Sequence, residues 1–174
     1  MTFFYILFMF VILQRLVELF IASNNERWMK ARGGIEVGQA HYKWFIILHT
    51  LFFMAILVEY QFKAIKFDGA VPVYMIFFIG FMVAQLGRVW CIHSLGRFWN
   101  TKIIVLPKVS LIKKGPYKYV KHPNYIIVFI ELLFMPLIFG LYIVAIIFPF
   151  LHLLLLTIRV PREEEALNRI SSLK

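Results

Sequence analysis

The chain has 174 residues, is 61% hydrophobic and 18% aromatic, and has a mean hydropathy of +0.79, more apolar surface than one soluble core of this size can hide. A soluble globular domain is excluded, and a membrane protein is indicated. The net charge of +10 is accounted for by membrane topology and anionic headgroups, so nucleic acid is not needed as a partner. The single cysteine, Cys91, excludes an internal disulfide and a thiolate-rich metal cage.

In chain order, apolar segments at 2–22, 42–60 and 71–95 each come near the roughly 20 residues a helix needs to cross about 30 Å of hydrocarbon. The first 14 residues carry no charge, and Arg15 and Glu18 follow in the same run, so no secretory signal is expected and the first segment should stay attached. Residues 124–158 would run to roughly 50 Å as one helix, too long for a single crossing. Pro136 and Gly140 supply a break near the middle and predict a tight hairpin of two spans, 124–139 and 142–158. The expectation is an all-α integral membrane protein with five transmembrane helices. It forms one domain over 1–174, with a polar loop at 96–122 and a tail at 159–174.

Charge placement gives the orientation. With five spans, 15 of the 19 Lys and Arg residues fall on one side, in 23–41, in 96–122, in the tail and at Lys43, against Lys63 and Lys66 on the other. The positive-inside rule then puts the amino terminus outside and the carboxyl tail in the cytoplasm. Inside the spans, Gln14, Arg15, Glu18, Gln85, Arg88 and Glu131 are costly unless paired, which predicts Arg15–Glu18 within one helix and Arg88–Glu131 between two.

Several chemistries lack their spacings. No glycine-rich phosphate or dinucleotide loop occurs, the five histidines show no paired metal-ligand spacing, and no serine sits in a nucleophile elbow. What remains is two polar clusters against apolar spans: Lys113 to Tyr125, and Arg159 to Glu165. The predicted hairpin brings them to the same membrane face.

Leu111, Gly115 and Tyr117, the His122-Pro123-x-Tyr125 element and Arg159-x-x-x-Glu163-Glu164-x-x-Leu167 together resemble the isoprenylcysteine carboxyl methyltransferase family of integral-membrane enzymes. The resemblance is good over about residues 80–168 and weak before that. Lys121 stands where the family usually has arginine, Ile127 where glycine is common, and the chain ends at Lys174 where eukaryotic members continue. These features look more like the bacterial branch, which methylates small lipophilic acceptors such as alkylpyrones on oxygen.

The resemblance implies an S-adenosylmethionine-dependent O-methyltransferase of the cell membrane with its active site open to the cytoplasm. The acceptor would be lipophilic: an alkylpyrone-like enol or carboxylate, or a prenylcysteine-like carboxylate. Membrane lipids are the other partners, and no metal is expected. Leu111, Gly115, Tyr117, His122, Pro123, Tyr125 and Glu164 are the implied cofactor residues. Arg159 and Glu163 are the implied catalytic residues, and Arg88 and Glu131 are candidates for lining the acceptor tunnel. Physical chemistry supports the same reaction, since methyl transfer from a sulfonium cation to an anionic oxygen neutralises two charges and is favoured in a low-dielectric site. A cation must then hold the acceptor oxygen in line, and Arg159 is placed for it, with Glu163 one helical turn on. The roles of Glu163 and Glu164 are interchangeable at this level.

Blander readings exist for each residue: an aromatic belt for Tyr117 and Tyr125, a helix start for His122-Pro123, a snorkelling anchor for Arg159. Their joint occurrence on one face favours catalysis. Two other classes fit less well. A sterol-type membrane reductase would need further basic residues for its nicotinamide dinucleotide, and a non-catalytic lipid-binding protein leaves the two motifs unexplained.

Overall fold

The computed structural model describes residues 2–62, 71–107, 109 and 112–171. Five helices carry the chain: α1 (Thr2–Lys30), α2 (Gln39–Phe62), α3 (Val71–Leu95), α4 (Pro123–Leu137) and α5 (Tyr142–Ser171). Four of them, α1, α2, α3 and α5, are long and apolar enough to cross a membrane. On α1 the buried Phe4, Leu7, Phe8 and Val11 follow helical spacing, while Phe10, Leu13, Val17 and Phe20 face outward. An apolar exterior over an apolar core is the arrangement of an integral membrane protein.

The expected break between the last two apolar segments is present, and it leaves α4 shorter than a full span. At 15 residues α4 covers about 22 Å. Its end is closed by a glycine motif: Leu141 N donates to the Pro136 carbonyl at 3.0 Å and Gly140 N to that of Leu137 at 3.0 Å. Gly140 has φ +63°, a conformation that other residues adopt only with strain. The chain then reverses, and the first-turn amides of α5, Ile143 N and Val144 N, donate to the Glu59 carboxylate of α2 at 3.0 and 2.8 Å. Glu59 thus caps α5 from a neighbouring helix and satisfies donors the helix itself cannot. Helix α5 continues to Ser171 through Pro149 and Pro161, so the segment predicted as a tail extends the last helix and keeps Arg159 and Glu163 on it.

α3 packs on α4, α4 on α5 and α2 on α5. One feature departs from an all-helical reading: β1 (Ile35–Val37) pairs antiparallel with β2 (Ile103–Val105), Glu36 opposite Ile104. Three-residue strands are too short to leave a periodic signal in the sequence. The pair clasps the loop after α3 to the loop after α1. Beside it, Lys102 Nζ lies 2.8 Å from Glu26 and 3.6 Å from Glu36. Hydrogen bonding to Glu26 raises the Lys102 pKa, so this lysine is committed to the clasp instead of being a free headgroup contact.

The intramembrane polar residues converge. Glu131 of α4 accepts from Arg88 Nε at 2.6 Å, from Gln85 at 3.1 Å, and from the terminal nitrogens of Arg88 and Arg15. Glu18 accepts from Gln14 at 3.0 Å, Arg15 at 2.9 Å and Arg88 at 3.1 Å. Both expected pairs exist, but as one charge-balanced network joining α1, α3 and α4. Arg88 and Glu131 are 2% and 4% exposed, so each charge depends on the others for its compensation.

Candidate functional site

At one end of the bundle the two polar clusters meet. Proline 123 opens α4, its fixed φ suited to a first helical turn, and this places Tyr125 on the side facing α5. Arg159 Nε donates to the Tyr125 hydroxyl at 2.6 Å, and that hydroxyl in turn donates to the Glu163 carboxylate. Arg159 and Glu163 share a helix face, as their spacing predicts, yet the contact between them runs through Tyr125. Arg159 also donates to the Thr101 carbonyl at 2.6 Å, and its guanidinium lies 4.8 Å from the Phe45 ring centre. It is 9% exposed, which is deeper than a snorkelling arginine whose charged head stays in water.

His122 stacks on Tyr125, with ring centres 5.5 Å apart, and faces both carboxylates: Nδ1 lies 3.8 Å from Glu163 and Nε2 3.5 Å from Glu164. Glu164 is also 3.3 Å from Lys121. Beyond this long approach to Glu164, His122 Nε2 is buried without a close hydrogen-bond partner among the described residues, as is Asn124 Oδ1. Buried polar atoms of this kind need satisfying, and a polar ligand beside the two carboxylates would do so. The donor set fits S-adenosylmethionine: carboxylates for its ammonium and hydroxyl groups, and two stacked rings for its sulfonium.

The other sequence candidates fall into three groups. Tyr117 packs with Ala84, Cys91 and Ile127 on the α3–α4 side. Burial, then Cys91, Glu163 and Tyr125, push its pKa up, so its hydroxyl stays protonated beside Cys91. Gly115 serves the backbone: its φ is +54°, and a Cβ there would come within 2.1 Å of Ser94 Oγ and 2.9 Å of the Trp90 indole nitrogen. Leu111 lies outside the described residues. Arg88 and Glu131 stand apart, with Glu131 six residues along α4 from Tyr125, about 9 Å deeper. Glu131 lines an intramembrane cavity with Arg15, Gln85, His49 and Phe52, whereas Arg88 spends its nitrogens on Glu18 and Glu131.

Several residues of the site carried no legible signal. Thr101 acts through its carbonyl, and Phe45 comes from α2, more than 100 residues from Arg159. His152 is buried and donates from Nε2 to the Tyr125 carbonyl at 3.2 Å. Among the described residues no group of His, Cys, Asp and Glu is arranged to hold a metal ion.

Comparison with known proteins gives the family. An uncharacterized protein of Bacillus subtilis (strain 168), YpbQ, is 38% identical over 170 residues, covering 97% of this chain and 98% of its own. An uncharacterized protein of Haemophilus influenzae (strain ATCC 51907 / DSM 11121 / KW20 / Rd) is 29% identical over 171 residues, covering 98% of each. No solved structure matches. The profile of the isoprenylcysteine carboxyl methyltransferase family matches residues 74–169, a stretch that contains His122, Tyr125, Arg159, Glu163 and Glu164. More than half of the chain falls within that match, and the protein belongs to the isoprenylcysteine carboxyl methyltransferase family.

Proposed function

We propose that the protein transfers a methyl group from S-adenosylmethionine to an oxygen of a lipophilic acceptor, an enol or carboxylate of the alkylpyrone or prenylcysteine type, at the cytoplasmic face of the cell membrane. The observation that carries this reading is the chain Arg159–Tyr125–Glu163, which ties the two family motifs together beside His122. When bound, the cofactor supplies an electrophilic methyl group on a sulfonium. His122 and Tyr125 offer their ring faces to that cation, and Glu163 and Glu164 offer carboxylates to its polar groups. Arg159 is fixed through Nε and one terminal nitrogen, and directs the other terminal nitrogen at the acceptor oxygen. Phe45 covers the guanidinium and lowers the local dielectric, which strengthens its pull on an anion. Glu131 borders the intramembrane cavity and Arg88 holds it in place, so the pair lines the path of the acceptor's apolar chain rather than binding its reacting oxygen.

Calorimetry of the purified protein should show binding of S-adenosylmethionine and none of reduced nicotinamide dinucleotide, the reverse result favouring a reductase. His122→Ala should weaken cofactor binding by about 1–3 kcal/mol, the loss of a buried hydrogen bond, and Glu164→Gln should act in the same direction. Unchanged cofactor affinity in a folded His122→Ala protein would remove His122 from the site.

The orientation is tested separately. Lys114→Cys, in the polar loop, should resist an impermeant thiol reagent in sealed cells and react after permeabilisation, because the positive-inside rule puts that loop in the cytoplasm. Labelling in intact cells would invert the topology.

A further inference from the structure

Arg159 is shared: its Nε contacts the Tyr125 hydroxyl, and the same residue borders a cleft lined by Val37, Gly38, His41, Tyr42, Ile103 and Arg162. With Arg159, the cleft has two guanidinium groups and an imidazole in its wall and no carboxylate. His41 Nδ1 is buried there with no hydrogen-bond partner among the described residues. Tyr42 is held in place by its hydroxyl, 3.1 Å from Thr101 Oγ1, and the Thr101 carbonyl is one of the two groups that fix Arg159. The floor is the short sheet: Val37 and Ile103 are directly paired across it. Arg159, although nine-tenths buried, opens onto this cleft.

We infer that this cleft is the acceptor's anion subsite, with His41 and Arg162 as specificity-determining residues. The inference rests on the methyltransferase reading and brings the acceptor oxygen to the Arg159 guanidinium, next to the cofactor residues. A surplus of cations around a buried, unsatisfied imidazole nitrogen is matched by an anionic oxygen, which accepts from Nδ1–H and from both guanidinium groups at once. The placement also has a logic in the chain. Residues 37–42 lie before the family match, which begins at residue 74 and contains all of the cofactor candidates. Cofactor recognition thus belongs to the shared half of the molecule, and acceptor choice draws on the half that the family profile does not cover. An anionic oxygen in the cleft comes either from the acceptor or from a phospholipid headgroup, and the two sources give different results.

The test uses the full chain in nanodiscs of zwitterionic lipid, with three probes: a long-chain 6-alkyl-4-hydroxy-2-pyrone, a prenylcysteine and a long-chain fatty acid. Equilibrium binding of each probe is measured with S-adenosylhomocysteine saturating, beside the KM and kcat of methyl transfer. His41→Gln and Arg162→Gln are each expected to raise the dissociation constant and KM of the best probe at least tenfold, while cofactor affinity stays within twofold of wild type. If wild type binds the cofactor and transfers methyl to a probe, but both variants bind that probe as tightly as wild type, the subsite assignment is overturned and the methyltransferase reading stands. If wild type binds the cofactor and none of the three probes, the cleft is not a site for anionic lipophiles. A defect that appears only when anionic phospholipid is added would assign the cleft to a headgroup and overturn its role in acceptor choice. Failure of wild type to bind S-adenosylmethionine would instead refute the reading on which the inference rests.

Discussion

Arg159→Lys should retain cofactor binding and lose methyl transfer by about 10²-fold or more, the range expected when a reacting group is misplaced. Arg159 donates simultaneously to the Tyr125 hydroxyl and the Thr101 carbonyl, and has a further terminal nitrogen for the acceptor. A lysine ammonium keeps the charge but lacks the planar fork, so it cannot satisfy both anchors and still point a fixed donor at the acceptor. Tyr125→Phe should lower the rate in the same sense, since Glu163 reaches Arg159 through the Tyr125 hydroxyl. Single-turnover transfer measured beside equilibrium cofactor binding separates this from a binding defect. Wild-type rates for Arg159→Lys would reduce the residue to an interface anchor.

The largest effect on stability is expected at Glu131. Glu131→Gln leaves Arg15 and Arg88 facing Glu18 as the one remaining carboxylate of the network, and stranding a buried charge costs about 3–5 kcal/mol. Arg88→Met combined with Glu131→Leu should be far milder. The double replacement removes one charge of each sign and leaves Arg15 paired with Glu18 at 2.9 Å. Thermal denaturation in detergent, comparing both proteins with wild type, checks the difference. If the double variant is the less stable of the two, packing rather than charge balance governs this part of the core.

Much of this arrangement is legible in the sequence because it follows from cost. A charge inside an apolar run must find a partner, and Arg15–Glu18 and Arg88–Glu131 were the partners that spacing and sign allowed. The helix break at Pro136 and Gly140 is legible for the same reason, and it predicts that His122 and Arg159 come to one end. The Tyr125 bridge is not legible, because four-residue spacing describes which side chains share a helix face and says nothing of a hydroxyl inserted from another helix. Nor is the Thr101 carbonyl, since a backbone acceptor has no residue signature. Lys102 reads as a free basic residue until the fold delivers Glu26 to it from α1. Gly115 matches the family motif, but what demands glycine there is contact with Trp90 and Ser94 of α3.

The charge-balanced network also bears on how the chain enters the bilayer. α1 carries Arg15 and Glu18 three residues apart and can partition as a self-neutralised helix. α3 brings Arg88 without an acidic residue of its own, and α4 brings Glu131 without a basic one. Each of these charges costs about 2.5–3.5 kcal/mol near the centre of a lone inserted helix. Pairing across α3 and α4 cancels both penalties together, so these two segments gain by leaving the translocation machinery as a unit. Biogenesis of the short α4 is thereby coupled to an arginine 43 residues upstream of its partner.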